Sequence, residues 1–389
     1  MMSRDLTMEC PNIWAEIDLA AIAHNVRELR RITDPGASMM AVVKADGYGH
    51  GAAAVARTAL AAGADMLAVA RIDEGVALRE AGLSGPILVL NPTFPAFADR
   101  LLQHDLIQSV DGLATARAVN TVAGRQNAVI PVHLKVDSGM GRLGLVPDAR
   151  RVVDDDRPPV TEVAAITRLP GLRLEGVYTH FAAADERDKR FAHHQLRIFN
   201  AFLEALADAG IDCGMRHAAN SAAVIDLPES HLDAVRPGIA LYGLYPSKEV
   251  NHDRIELRPA LSLKSRLLQV KSVPAGFKVS YGMTWESPAP TVIGTVAAGY
   301  ADGIQRRLSN RGEMLVQGRR APIVGRVCMD LIMLDLGPTS TAAAGDEVVI
   351  IGRQGEAVIS ADEIATRLDT INYEVVFTNA TRVPRLYRS

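Results

Sequence analysis

The sequence predicts an α/β protein: a (β/α)₈ TIM-type barrel followed by a smaller, mostly antiparallel β domain. Three observations predict it. Eight short apolar runs alternate with alanine-rich helical runs over roughly 200 residues, the rhythm a closed barrel requires. Past Tyr245 the helical runs largely vanish, and short segments rich in β-branched residues follow, separated by Gly, Pro and Asp. The length of 389 residues is more than one simple core needs and suits two domains. These are expected at 1–247 and 248–389.

NIWAEID carries a short alternating strand, Ile13 to Asp18, that could belong to either domain. An amphipathic helix follows, with Leu19, Ile22, Val26, Leu29 and Ile32 inward and Asp18 as its cap. The barrel strands are expected at AVVK (41–44), MLAVA (66–70), ILVL (87–90), IQSV (107–110), VHLKVD (132–137), LEGVYTH (174–180), MRHAANS (215–221) and AVRPGIALYG (234–243). In the β domain, LSLKSRLLQVKSV, VIGTVAAGY, GEMLVQG, APIVGRV, CMDLIMLDL and DEVVIIG read as strands. SADEIATRLDTINYEVVF adds one helix, with Ser360 and Glu363 at capping-box spacing. The domain boundary is expected in the polar stretch PSKEVNHDRIE.

Composition narrows the function. A hydrophobic content of 48% with 22% charged residues is ordinary globular composition. The net charge of -3, with no basic cluster interleaved with aromatics, argues against a nucleic-acid partner. No apolar run approaches the ~18 residues of a membrane span, and MMSRDLTMECPNIW lacks a signal-peptide core. Cys10, Cys213 and Cys328 are odd in number and widely spaced, which fits neither a disulfide framework nor a metal site and suits a reducing compartment. A soluble, cytoplasmic protein is expected.

The chemistry gathers around AVVKADGYGHG, Ala41 to Gly51. Lys44 falls where a buried strand meets a glycine-rich loop. An unpaired ammonium inside the strand would cost several kcal/mol, whereas at a strand end facing a cleft its pKa can fall and its amine can act as a nucleophile. In a (β/α)₈ barrel the strands' C-terminal ends form the active site, so unusual residues there can be read together. Lys135, Asp137 and Arg142 end the fifth strand, His180 the sixth, and Asn220 and Ser221 the seventh, while Arg236, Gly238 and Ile239 mark the eighth. The last two strand ends are a frequent phosphate site, where glycine admits the backbone and serine adds a donor. A strand-end lysine facing a phosphate pocket points to pyridoxal 5'-phosphate, with Lys44 as its Schiff-base partner. GYGHG lacks the full spacing of a dinucleotide loop.

Taken in order and spacing, AVVKADGYGHG, HLKVDSGMGRLG, LEGVYTHFA, HAANSA, VRPGIALYG, VSYGMTWE, GYADGIQRRLSN, APIVGRVCMD and TINYEV resemble the bacterial alanine racemases from about Ile13 to Arg385. The resemblance implies a homodimer interconverting L- and D-alanine, with active sites shared between subunits. It implies Lys44 as the base on the D face and Tyr281, supplied by the other subunit, as the base on the L face. With an unperturbed pKa of ~10, Tyr281 needs cationic or hydrogen-bonding neighbours to act as a base near neutral pH; the resemblance implies His180 and Arg236 in that role, with His217 behind Arg236. Arg236 would face the pyridine nitrogen and, unable to give up its proton, leave that nitrogen unprotonated.

Tyr48, Ser221, Gly238, Ile239 and Tyr373 are implied on the phosphate side, with Asn220 beside them. Arg142, Met329 and Asp330 are implied at the substrate, with Tyr300 and Tyr373 narrowing the mouth. Lys135 resembles a lysine that is carbamylated in many members. Four positions depart from the family pattern: Asp46-Gly47 for Asn-Ala, Trp285 for a smaller aromatic, and Leu331 for a polar residue. A broad-specificity or serine-preferring racemase is the nearest alternative. A decarboxylase of the same architecture is the alternative of another class, although it would place an acid where Arg236 stands. A cofactor carrier would need only the barrel.

Overall fold

The computed structural model describes residues 11–147, 159–377 and 382–389. The chain forms two compact units, one spanning Ala21–Pro259 and one built from the N-terminal stretch up to Ala20 together with Ala260–Ser389. The change of unit at Pro259 falls just past PSKEVNHDRIE.

In chain order the first nine strands are β1 (Ile13–Asp18), β2 (Ser38–Val42), β3 (Met66–Val69), β4 (Ile87–Val89), β5 (Ile107–Val110), β6 (Ile130–Lys135), β7 (Leu172–Tyr178), β8 (Met215–His217) and β9 (Ala234–Val235). Strands β2 to β9 close into a parallel barrel, β9 pairing back onto β2. Their residues are buried almost without a break, Met39 to Ala41, Leu67 to Val69 and Ile87 to Val89 being fully enclosed. Parallel strands covered by helices on one side and by one another on the other have no polar face to alternate.

All eight expected barrel strands are present. The first runs earlier than expected and ends at Val42, so Lys44 lies beyond the strand. The last two are shorter than expected. Pro237 offers no amide to extend β9, and Ile239–Tyr242 is a 3₁₀ turn. Between β6 and β7 the register slips, Val132 facing Leu174 and His133 facing Gly176, so Glu175 is a bulge. The helix Leu19–Ile32 buries Ile22, Val26 and Leu29 as expected, but leaves Leu19 and Ile32 only part-buried. Asn25 takes a place on its inner face because its amide bonds Leu241 O at 3.1 Å and Arg258 O at 2.9 Å.

The second unit is organised on the long strand β10 (Leu261–Val273). Two short strands, β11 (Lys278–Val279) and β12 (Trp285–Glu286), pair with each other. The remaining strands are β13 (Thr291–Val296), β14 (Glu313–Val316), β15 (Arg319–Pro322), β16 (Ile332–Asp335), β17 (Glu347–Gln354), β18 (Ala357–Ile359) and β19 (Arg385–Arg388). β10 pairs antiparallel with β1, β13 and β17, so the N-terminal strand belongs to this sheet, and only β19 lies parallel to β1. The one helix expected near the end is two, Ala361–Leu368 and Asn372–Phe377, broken where Asp369 turns left-handed at φ 57°. Ser360 caps the first, accepting from Glu363 N at 3.0 Å. The Glu363 carboxylate instead bonds Arg320 at 2.6 Å and Arg367 at 3.0 Å.

Among the described residues no helix is long and apolar enough to cross a membrane, and no group of three or more His, Cys, Asp or Glu could hold a metal ion.

Candidate active site

Lys44 follows β2 at the end where the barrel opens. Its strand is held to its neighbours up to that point, Val42 N donating to Pro237 O at 3.0 Å and Val43 N to Ala68 O at 2.9 Å. The chain then makes a left-handed turn: Ala45, Asp46, Gly47 and Tyr48 have φ of 54°, 50°, 61° and 51°. Such a conformation costs about 1–2 kcal/mol for each non-glycine residue. Gly47 carries no such cost, and a Cβ there would come within 3.2 Å of Ala52. Asp46 accepts from Ala52 N at 2.9 Å and so starts the helix Ala52–Ala61. The Asp46-Gly47 pair therefore suits this turn. The Lys44 amine lies 5.9 Å from the Tyr48 ring centre. Burial first, then the Arg142 guanidinium, pushes its pKa down, with Glu74 opposing.

Next to Lys44 on the same rim, where β9 pairs with β2, Ser221 Oγ accepts from Gly238 N at 2.8 Å and from Ala240 N at 3.3 Å, tying the loops after β8 and β9 together. Asn220 caps the short helix Ser221–Asp226 through Ala223 N at 3.0 Å, so its side chain shapes this loop. Gly238 lets this loop approach Tyr48, since a Cβ would sit 2.6 Å from Tyr48 Oη. Ile239 is buried beside it. Tyr48 is braced by Tyr242, ring centres 4.9 Å apart, whose hydroxyl donates to Val42 O at 3.0 Å.

Arg236, buried after β9, is held by the chain that ends β7 and β8. Its guanidinium donates to Thr179 O at 2.8 Å, Ala218 O at 3.0 Å, His217 Nδ1 at 2.8 Å and His180 Nδ1 at 3.2 Å. Because arginine only donates, both imidazoles accept at Nδ1 and carry their proton on Nε2. His217 Nε2 then donates to His133 Nδ1 at 2.8 Å. Burial, reinforced by the Arg236 charge, holds all three imidazoles neutral, His133 at about 4 and the other two well below their usual value. Burial lowers Arg236 to about 10, which leaves it charged at neutral pH. Tyr178 stacks on His217 at 4.7 Å and donates to Leu90 O at 3.0 Å.

His133 and Tyr178 are not among the residues the sequence reading singled out. Spacing is the signal the sequence holds for them: each lies two residues before an expected site residue, Lys135 and His180, and so on the same face of its strand. The Glu175 bulge and Gly176 make room for the imidazole, since a Cβ at Gly176 would lie 2.7 Å from the His133 ring and 2.8 Å from Met215 O. Gly176→Ala is expected to destabilise the protein by about 1–3 kcal/mol, read as a lower midpoint in chemical denaturation.

Lys135 ends β6 with its amine 5.5 Å from the Tyr178 ring centre. Burial, then Arg142 and Arg236, pushes its pKa down to about 8. The loop that follows is wound around Asp137, whose carboxylate accepts from Gly139, Gly141 and Arg142 amides at 3.0 Å each. Leu145 N returns to Lys135 O at 2.8 Å, a close approach that Gly144 permits, since a Cβ there would lie 2.7 Å from Asp137 N. This loop carries the exposed Arg142 at the rim. Arg142 lowers the proton affinity of Lys44, and Arg142, Arg236 and Lys44 lower that of Lys135, so the barrel rim is built to receive anions.

The other expected residues lie in the β unit. Tyr281 opens a turn, Tyr281–Met283, between left-handed Ser280 and Gly282, and is 71% exposed. Ser280 Oγ anchors the turn on Arg326 O at 2.7 Å. Tyr300 N donates to Cys328 O at 2.9 Å and Ala301 N to Met329 O at 3.0 Å, with Gly299 leaving room for the Met329 carbonyl. Tyr281, Met283, Tyr300, Met329 and Leu331 are all exposed. Asp330 pairs with Arg382 at 2.8 Å, and the same guanidinium holds Asp302 at 2.7 Å. Tyr373 is half-buried in its helix. Trp285 packs on a core of Val273, Val279, Ile293 and Val324.

Two family models match in tandem: "Alanine racemase, N-terminal domain" over residues 17–246 and "Alanine racemase, C-terminal domain" over residues 260–387. The chain belongs to the alanine racemase family. An alanine racemase of Desulfosudis oleivorans is 53% identical over 374 residues, 96% of each chain. The solved alanine racemase of D-cycloserine-producing Streptomyces lavendulae is similar at a TM-score of 0.89 and 38% identity, covering 98% of each chain. A histidine racemase of Leuconostoc mesenteroides is similar at a TM-score of 0.88 and 27% identity, covering 98% of this chain and 99% of that one.

The barrel rim fits the cofactor of alanine racemases on three counts. Lys44 has the lowered proton affinity a Schiff-base lysine needs. Gly238 leaves open the space beside Tyr48 that a side chain would fill. The surrounding cations match a phosphate and a carboxylate, and Arg236 offers a fixed positive charge.

Proposed function

We propose that this protein is an alanine racemase that uses pyridoxal 5'-phosphate and works as a homodimer in the cytoplasm. Its D-alanine serves peptidoglycan synthesis or alanine catabolism. The observation that carries the reading is the lysine with lowered proton affinity at the end of β2, set among cations at the rim of a barrel whose whole sequence matches alanine racemases.

Lys44 would hold pyridoxal phosphate until the substrate amine takes its place, which frees the Lys44 amine; the cofactor would then supply the electron sink that acidifies the substrate Cα–H bond. Ser221, Gly238, Ile239, Tyr48 and Tyr373 would hold its phosphate, and Arg236, whose guanidinium is fixed by His217 and through it His133, would hold its ring nitrogen. Arg142 takes the substrate carboxylate, with Met329 and Asp330 at the same end and Tyr300 at the mouth. Lys44 then takes or returns the Cα proton on the D face. Tyr281 of the partner subunit does the same on the L face. The exposed apolar surface around Tyr281, Met283, Met329 and Leu331 supports this subunit sharing, since such patches mark interfaces. Two opposed bases are what the reaction demands, because a proton must leave one face and arrive on the other.

The test is alanine turnover in deuterium oxide with added cofactor. D-alanine formed from L-alanine should carry solvent deuterium at Cα. Product that retains the substrate's own hydrogen would point to a single base and overturn the assignment.

Lys135, with its pKa near 8, has an amine available to carbon dioxide near neutral pH. Its nitrogen bonds the carbon and loses a proton, and the anionic carbamate braces Arg142. ¹³C-bicarbonate should give a carbamate resonance in the wild type that Lys135→Ala lacks. The histidine racemase of the same fold favours a second reading, a broader substrate range. A racemisation rate for serine that matches or exceeds that for alanine would support it.

A further inference from the structure

We propose that Glu74 is a positioning residue for Lys44: its carboxylate clasps the left-handed turn that begins after Lys44 and ends in Tyr48. The inference rests on the reading of Lys44 as the Schiff-base lysine for its functional meaning, though not for its geometry.

The turn Ala45–Tyr48 is a conformation that three of its four residues do not favour on their own. A strained segment persists only where its surroundings over-determine it. Part of the restraint is internal: Gly47 N donates to Val43 O at 2.9 Å and Gly49 N to Ala45 O at 3.1 Å. The amide of Ala45, the residue bonded to Lys44, is instead taken by Glu74 Oε1 at 2.6 Å. The other oxygen of the same carboxylate accepts from Ala70 N at 2.7 Å and Arg71 N at 3.0 Å.

One side chain thus fastens the start of the turn after β2 to the end of β3 and the helix Ile72–Glu80. The two strands are already registered, Val42 on Ala68. Bonds to a carboxylate are about twice as strong as neutral ones, and the clasp sits where a relaxed turn would swing both the Lys44 amine and the Tyr48 ring. Tyr48 has little room to follow, being confined between Tyr242 and Gly238.

The carboxylate also acts through its charge. Lys44 is faced by Glu74 from the helix, by Lys135 and Arg142 from β6 and its loop, by His180 after β7 and by the Tyr48 ring within its own turn. Glu74 is the anion in that set, so it keeps the Lys44 amine from losing its proton as readily as the neighbouring cations would make it.

An ordinary helix cap would account for the bonds to Ala70 and Arg71 alone, and it makes a different prediction. In Glu74→Gln, measured in the full-length protein without added cofactor, the Ala45 amide should exchange with solvent at least about tenfold faster than in the wild type. The amides of Leu67 and Ala68 should stay protected as the control for folding. When pyridoxal phosphate is added, the pH midpoint at which the Lys44-dependent visible band forms should move down, because the anion that favoured the ammonium is gone. Glu74→Asp keeps the charge and shortens the reach, so it should expose Ala45 while holding the midpoint near that of the wild type. Unchanged exchange at Ala45 in both variants, or faster exchange confined to Ala70 and Arg71, would overturn the clasp. If the band forms equally in Lys44→Ala, the reading of Lys44 fails instead, and exchange at Ala45 still decides the role of Glu74.

Discussion

Lys44→Ala is expected to lower alanine racemisation by at least about ten-thousand-fold, because it removes both the covalent partner of the cofactor and one of the two bases. The side chain is not part of the packed core. It lies beyond β2 and is half-buried, so the loss should come without unfolding. Two measurements check it together: turnover with saturating pyridoxal phosphate, and the visible absorbance of the dialysed protein. Loss of the band with a wild-type thermal midpoint is the expected pair. A Lys44→Ala protein that keeps the band would remove Lys44 from the mechanism.

Tyr281→Phe should cost about a hundred- to ten-thousand-fold in turnover, the usual contribution of one positioned proton carrier. The visible band should be kept. Tyr281 is 71% exposed, so its hydroxyl is not a fold requirement. Because the two enantiomers are equal in energy, kcat/KM must fall equally in both directions, and net rates cannot tell which face was lost. Hydrogen exchange can. The variant should still exchange the Cα hydrogen of D-alanine through Lys44 and should no longer exchange that of L-alanine. Mixing inactive Lys44→Ala and Tyr281→Phe subunits should restore part of the activity, since one hybrid site then holds both bases. No recovery after proven subunit exchange would mean that each site is built within one chain.

The barrel was readable because short, mostly apolar runs alternate with alanine-rich helical ones, and every one of the eight expected strands appears in the fold. Their ends were less readable. Whether AVRPGIALYG continues as a strand is decided by Pro237 and by the packing of Ile239–Tyr242, which periodicity does not report. Asp369 breaks the last helix in the same way, by a local left-handed step inside an otherwise helical pattern. Lys44, Arg236 and Ser221 could be picked out because charged and hydroxyl residues at strand ends are conspicuous against an apolar background.

Glu74, His133 and Tyr178 were not, although they support those same residues. Glu74 sits in an unremarkable acidic first helical turn, and only the fold brings it to Ala45. His133 depends on a bulge at Glu175 whose sequence signals, Gly176 and Gly214, resemble ordinary turn glycines. The ion pair between Asp330 and Arg382 joins residues 52 positions apart that no local pattern connects.

The measurement that tests the account most directly is the circular dichroism of L-alanine followed over time with the purified protein and pyridoxal phosphate. The account predicts decay to zero while the total alanine concentration stays constant, as only racemisation allows. A constant signal, or a decay accompanied by loss of alanine and release of carbon dioxide, would contradict it.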